Sequence, residues 1–309
     1  MTIKPFSMTL TPRHRRLASP RSWLTLVFFA AAYFLFEPTA GGIYHPIARA
    51  LGLHMIVQGA MALLPYATLM MVRLTLDAVV VAGVCAILGQ RLRDFPLVGP
   101  HMLRWTVLGL AAGLVVMTGA ILGILLCGAA TVTLSPQPSY AAIAHGVGWL
   151  VFDFIGATGE ELFGRVAVLL VAERLVGWRG SIVVSGLMFS LLHLGNPGVT
   201  SLWLLRLFLH GILLAWAVYC TRSIWWSVGY HTGWNWASAP LFGAAGSGYL
   251  NQGHLLDFMP TGAAWITGGE IGPEGSVFAF GAMFAAFCLL LATTRLRGLQ
   301  DGFSSRHAD

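Results

Sequence analysis

The sequence predicts an all-α fold, a polytopic membrane helix bundle of about eight transmembrane helices, and three observations support this prediction. Of the 309 residues, 57% are hydrophobic and only 10% are charged, and the mean hydropathy is +0.75. A soluble domain carries about 25% charged residues, so this composition cannot build a water-facing surface. The apolar residues also gather into runs that approach the roughly 20 residues needed to span a bilayer.

Charge and cysteine content narrow the classes of function. The formal net charge is +6, but the basic residues flank apolar runs, as the positive-inside rule expects of membrane proteins. No basic patch is interleaved with aromatic residues, so we expect no nucleic-acid partner and instead expect contact with membrane lipids. The four cysteines lie in or at the ends of apolar runs without a CxxC pair, which is typical of buried hydrophobic residues.

Eight apolar runs are predicted to cross the bilayer. The first follows a basic segment, as in a signal peptide, but no small-x-small cleavage site follows it. We interpret it as a retained helix that ends before Glu37-Pro38. The run interrupted by Arg73 and Asp77 is counted as one crossing, with two crossings as the alternative. The predicted spans are 23–36, 53–89, 105–127, 141–172, 180–194, 201–220, 224–242 and 277–294.

The charges between these runs predict the orientation. With the N-terminus inside, the inner loops hold most arginines, and the outer loops hold acids with Arg49 as the only clear base. The inner set is Arg91, Arg93, Arg104, Arg174, Arg179, Arg222, Arg295 and Arg297, and the outer acids are Glu37, Asp257, Glu270 and Glu274. We therefore predict that both termini are cytoplasmic. Two crossings within 53–89 would invert this asymmetry.

Ionisable residues inside a span are costly and therefore mark candidate functional sites. Three sets occur here: Glu160-Glu161 with Arg165, His193, and His231 with Asn235. At a rise of about 1.5 Å per residue, four of these residues lie about 12 to 20 Å from the inner ends of three helices. They are Glu160, His193, His231 and Asn235. We expect these four side chains to line one polar cavity.

Helical spacing suggests a role for each residue. Glu161 and Arg165 are at i and i+4 and can pair, whereas Glu160 points about 100° away and could activate water as a general base. Asn235 lies one turn after His231 and could donate to an oxyanion. Such a set suits a peptide hydrolase. The structural alternative is that the Glu161–Arg165 ion pair only stabilises helix packing and that each histidine only forms a hydrogen-bonded contact with a helix.

Other polar residues are predicted to be structural. Arg73 with Asp77 and Arg206 with His210 are spaced to pair on one helix face. Asp153 lies two turns before Glu160 and is expected to line the same cavity, and His145 is expected near an outer helix end.

Zinc is a possible alternative cofactor. His193, His231 and a glutamate could form a three-ligand catalytic site. No HExxH motif is present, and Asn235 is a poor zinc ligand, so we expect no cofactor.

The order of the motifs resembles the CPBP family, which comprises CAAX prenyl proteases and bacteriocin-processing enzymes and is also called the ABI family. The motifs are Glu160-Glu161-x-x-x-Arg165, Phe189-x-x-x-His193 and His231-x-x-x-Asn235. The resemblance covers about residues 141–242. It implies an all-α intramembrane endopeptidase in which Glu160 activates water, His193, His231 and Asn235 assist, and Glu161 and Arg165 support them without a metal.

One motif departs from the family pattern. Family members usually have an aromatic residue before the arginine and glycine after it, whereas Gly164 precedes Arg165 and Val166 follows it here. The pocket beside Arg165 is therefore expected to differ from that of other family members.

The predicted organisation is a basic cytoplasmic segment at 1–21, N-terminal transmembrane helices at 22–140, a catalytic helix core at 141–242, an extracytoplasmic loop at 243–276, and a last helix with a cytoplasmic tail at 277–309.

The leading functional hypothesis is a membrane protease that cleaves a peptide or membrane-protein substrate, in a bacterial inner membrane. A proton-coupled transporter could use the same buried carboxylates, but inverted repeats with broken helices are not evident. A catalytically idle membrane scaffold is the third hypothesis, and the intact polar set argues against it.

Overall fold

The computed structural model describes residues 20–92, 95, 97 and 101–306, with side chains described as far as Arg295. Most of the predicted basic segment 1–21, Arg93 and the side chain of Arg297 lie outside the described residues. The helices are α1 (Pro20–Ala50), α2 (Leu63–Leu88), α3 (Met102–Leu126), α4 (Ser139–Glu161), α5 (Val168–Leu191), α6 (Ser201–Thr221), α7 (Trp225–Trp236), α8 (Ala264–Thr267) and α9 (Val277–Arg306). The strands are β1 (Ile56–Val57), β2 (Ala60–Met61), β3 (Ala130–Leu134) and β4 (Leu256–Pro260).

The fold is an all-α membrane helix bundle, as the composition predicts. Among the described residues, five helices are long and apolar enough to cross a membrane, namely Pro20–Ala50, Leu63–Leu88, Met102–Leu126, Ser201–Thr221 and Val277–Arg295. The other three predicted spans fall on α4 with the start of α5, on the rest of α5, and on α7. These segments carry the polar residues singled out above, which lowers their hydropathy. Within the run at 53–89, Leu63–Leu88 form one long helix, as the one-crossing count requires, whereas the start of the run forms β1 and β2 and does not belong to the span.

The first helix is longer than predicted. It continues through Glu37-Pro38 and Pro46 to Ala50. Proline removes one backbone hydrogen bond, but membrane helices tolerate it where neighbouring groups compensate. Glu37 therefore lies on α1 rather than in an outer loop, and its carboxylate forms an ion pair with Arg73 of α2.

The loops that follow α1, α3, α5 and α7 meet at one end of the bundle. Antiparallel β1 and β2 form a hairpin after α1, and β3 pairs with β4 from Ala130↔Pro260 to Leu134↔Leu256. Met61 forms a bridge with Asn251, and the Asn196 amide donates to the Ser247 carbonyl. These loops follow every second long helix, so the chain leaves this end of the bundle and returns to it between one loop and the next. This arrangement is consistent with an even number of crossings.

Helices α3 and α7 cross at close range through glycines on both helices. A Cβ at Gly113 would lie 2.2 Å from the carbonyl oxygen of Tyr230, and a Cβ at Gly233 would lie 2.3 Å from that of Leu110. Gly109, one turn before Gly113 on α3, makes a similar approach, since a Cβ there would lie 2.1 Å from the carbonyl oxygen of Trp226. No atom lies within 4 Å of a Cβ at Gly119, whereas one at Gly123 would meet the Phe278 ring. The contact fixes α7, which carries His231 and Asn235.

Candidate active site

The two motif glutamates are the last residues of α4, where the helix widens. Residues Leu162–Ala167 form a π-helical segment between α4 and α5. Such segments are rare and occur frequently at functional sites. The Glu160 side chain is 41% exposed, whereas those of Glu161 and Arg165 are completely buried. The neighbouring carboxylates thus face different surroundings, as their helical spacing predicts.

Glu161 joins Arg165 to His231. Nε of Arg165 lies 3.0 Å from Oε2 of Glu161, in ion-pair contact without hydrogen-bond geometry. Nδ1 of His231 lies 3.1 Å from Oε1 of the same carboxylate. The Arg165 guanidinium lies 4.5 Å from the ring centroid of Phe189, the first residue of the second motif. The predicted pair is present, and its additional link to His231 was not foreseen.

His231 also faces the exposed glutamate. Its Nε2 lies 3.8 Å from Oε2 of Glu160. This separation is too long for a direct hydrogen bond, and a water molecule could bridge the two groups. With Nδ1 oriented by Glu161, the ring presents Nε2 to Glu160.

His193 lies just beyond the end of α5, although the sequence predicted it within a span. Its Nδ1 lies 2.7 Å from the carbonyl oxygen of Phe189. Because a carbonyl only accepts, Nδ1 carries the proton in this contact, which leaves Nε2 of the neutral ring as an acceptor. Asn235 lies one turn after His231 on α7, and its amide has no hydrogen-bond partner in the described part of the chain.

A single cavity of about 350 Å³ brings Glu160, His193, His231 and Asn235 together. Its wall includes residues of α1, α2, α4, α5 and α7, the π-helical segment, the turn after α5 and the segment 246–251. Asp153 also lines it, as predicted, and accepts a 3.2 Å hydrogen bond from Tyr66. The wall includes further polar residues that sequence reasoning did not assign to the site: Glu37, Tyr66, Arg73, Asp77, Asn196, Ser247, Tyr249 and Asn251.

The predicted structural pairs have different outcomes. Among the described residues Arg73 does not pair with Asp77, because its guanidinium instead reaches the Glu37 carboxylate on α1. Arg206 contacts His210 as predicted, with Nη1 and Nδ1 2.6 Å apart. It also forms a buried ion pair with Glu274, which spacing within one helix could not reveal. His145 lies 3.4 Å from Gln137, near the end where the loops meet.

The donor set does not match a zinc site. Within the described ranges, no group of three His, Cys, Asp or Glu side chains could hold a metal ion. A catalytic zinc site uses three protein ligands, so these side chains as arranged do not fit one. Function without a cofactor stays a prediction.

Comparison with known proteins gives one match. Residues 143–237 match the family model described as type II CAAX prenyl endopeptidase Rce1-like. The matched segment contains all three motifs, and this match confirms the predicted resemblance to the CPBP family of intramembrane proteases over about a third of the chain. No curated protein and no solved structure matches the chain.

Proposed function

We propose that the protein is an intramembrane endopeptidase that hydrolyses peptide bonds with water activated by Glu160. The observation that carries the proposal is that Glu160, His193, His231 and Asn235 line one cavity. Glu160 is the only one of the two adjacent glutamates that faces it. The family match supports a CAAX-type protease.

The chemistry requires a base, a bound water and donors for an oxyanion. Glu160 takes a proton from water, and the resulting hydroxide attacks the carbonyl carbon of the scissile bond. The negative charge moves to the carbonyl oxygen, where the Asn235 amide donates a hydrogen bond. As the C–N bond breaks, the amine leaving group takes the proton back from Glu160, so the carboxylate is regenerated. The 3.8 Å gap between His231 and Glu160 allows the histidine to bind the same water.

Glu161 and Arg165 act behind the site. The Glu161 carboxylate fixes the His231 ring through Nδ1, and Arg165 balances the charge of that carboxylate. We assign both as positioning residues because they are completely buried and do not line the cavity.

The proposed substrate is a membrane-associated protein, and a prenylated or similarly lipid-modified chain is the class that the family name suggests. We propose that the protein lies in a bacterial inner membrane with both termini cytoplasmic, because arginines concentrate in alternate loops.

We propose that the reaction needs no metal ion. Cleavage that persists in a chelator, with no stoichiometric zinc in the purified protein, tests this part.

Comparative membrane proteomics of cells with wild-type protein and with Glu160→Ala tests the proposed function. We expect a peptide whose cleavage disappears in the variant and persists with the control Glu270→Gln, which changes an exposed glutamate of the outer loop. Identical membrane peptides in wild type and Glu160→Ala would contradict protease activity and favour the scaffold hypothesis.

A further inference from the structure

A second buried polar cluster lies beside the cavity and is separate from the three motifs. Its centre is the ion pair between Arg206 of α6 and Glu274, with Nη2 and Oε2 2.8 Å apart and side chains only 1% and 2% exposed. Glu274 lies in the segment that precedes α9, outside the family match at 143–237. The proposed mechanism does not use either residue.

The Glu274 carboxylate holds the segment that forms part of the cavity wall. Its Oε1 accepts from the Ser247 backbone N–H at 3.2 Å, and its Oε2 accepts from the Ser247 hydroxyl at 3.1 Å. Ser247 has a φ of 51°, in the left-handed region that non-glycine residues rarely adopt. Such a conformation persists where surrounding contacts determine it, and here two hydrogen bonds to one carboxylate do so.

From Ser247 the contacts continue to His193. The Asn196 side-chain amide donates to the Ser247 carbonyl at 2.9 Å, and the Asn196 backbone N–H donates to the His193 carbonyl at 3.1 Å. The turn that carries His193 lies beyond the end of α5, so it lacks a continuing helix to hold it. The Asn196 bond to Ser247 ties this turn to the opposite loop.

Arg206 also supports the helix that carries the other site residues. Its guanidinium lies 5.2 Å from the ring centroid of Trp234, which is on α7 directly before Asn235. Through its Nη1 it contacts Nδ1 of His210, whose ring lies 4.9 Å from that of Trp234. The ion pair therefore contacts both α7 and the loop that reaches His193.

We propose that Arg206 and Glu274 are positioning residues that hold His193 in the site through Ser247 and Asn196. The proposal rests on the proposed function for its catalytic consequence. It means that the outer loop 243–276, rather than the family-matched segment alone, completes the active site. Neither residue touches the reacting atoms.

Hydrogen exchange of the purified full chain in detergent tests the positioning without any substrate. Glu274→Gln should raise amide exchange at residues 193–199 about 10-fold, because the turn opens locally once its tether weakens. Asn196→Ala should do the same. The matched control Asp257→Asn, which changes a carboxylate of the same loop that pairs with His254, should leave exchange at these residues unchanged. Wild-type protection of residues 193–199 in both test variants would overturn the proposal.

Kinetics on the substrate identified by membrane proteomics tests the consequence. We expect Glu274→Gln to lower kcat about 10-fold with KM within about twofold, since a small displacement of a site residue impairs the chemical step. The double variant Glu274→Gln with Asn196→Ala should be no slower than the slower single variant, because both break one chain of contacts. If the two reductions of kcat multiply in the double variant, the substitutions act independently, and this result would contradict the proposal.

The two hypotheses can fail separately. If Glu160→Gln cleaves normally, the proposed function fails whatever Glu274 does. If Glu160→Gln is inactive while Glu274→Gln keeps the wild-type kcat, only the positioning proposal fails. If Glu274→Gln does not fold, the test rests on Asn196→Ala. A wild-type kcat in Asn196→Ala would then overturn the proposal.

Discussion

The Nδ1 atom of His231 lies 3.1 Å from Oε1 of Glu161. This contact orients the imidazole so that Nε2 lies 3.8 Å from Oε2 of Glu160. One carboxylate therefore fixes a histidine, while its neighbour in sequence faces the cavity. The π-helical segment that begins directly after Glu161 accompanies this change of surroundings.

Removing Arg165 should destabilise the protein. Arg165→Ala leaves Glu161 as an unpaired, completely buried carboxylate, which typically costs about 3–5 kcal/mol. We expect lower expression and a lower melting temperature in detergent. The control is Arg73→Ala, because the Arg73–Glu37 side chains are 31% and 60% exposed and such pairs contribute about 0–1 kcal/mol. Equal melting temperatures for the two variants would contradict a structural role for Arg165.

Asn235 should affect catalysis and not folding. Asn235→Ala removes a proposed oxyanion donor, and losses of this kind lower kcat about 10²- to 10³-fold. Asn235→Asp should be similarly impaired, because an ionised carboxylate cannot donate a hydrogen bond. The measurement is kcat on the identified substrate together with the melting temperature. Unchanged kcat in both variants would remove Asn235 from the mechanism.

The close crossing of α3 and α7 should tolerate no side chain. Gly113→Ala places a Cβ 2.2 Å from a carbonyl oxygen of α7, so we expect a lower melting temperature and reduced cleavage as α7 moves. Gly119→Ala on the same helix has no atom within 4 Å and should be neutral or slightly stabilising. Thermal unfolding of the two variants side by side checks this expectation, which equal melting temperatures would refute.

The predicted orientation can be tested with reporter fusions. Fusions after Arg222 and after Gly253 should report opposite sides of the membrane, with the first cytoplasmic, because the segment at 224–242 is predicted to cross the membrane between them. Reporters on the same side would refute the eight-span topology.

The sequence predicts contacts within one helix better than contacts between helices. The Glu161–Arg165 and Arg206–His210 contacts follow from helical spacing alone. Arg73 was assigned to Asp77 by the same argument, but a partner on another helix was better placed. Spacing on one helix carries no information about which helix lies opposite.

The loop at 243–276 was the least predictable part of the chain. It contributes Ser247 and Asn251 to the cavity wall and Glu274 to a buried ion pair, yet from sequence it resembles a glycine-rich connection. The length of α1 was also missed, because Glu37-Pro38 is a helix-ending signal in water. In a membrane bundle, an arginine on a neighbouring helix can form an ion pair with the glutamate, so the helix can continue through it.

Turnover by purified Glu160→Gln in detergent or liposomes tests the central claim most directly. The substitution keeps the size of the side chain and its hydrogen-bonding atoms but removes the basic carboxylate that accepts the proton of water. We predict that cleavage of the identified substrate falls by at least about 10²-fold, while the melting temperature stays at or above that of the wild type. Wild-type turnover by folded Glu160→Gln would contradict the account and move the base to Glu161 or to a metal-bound water.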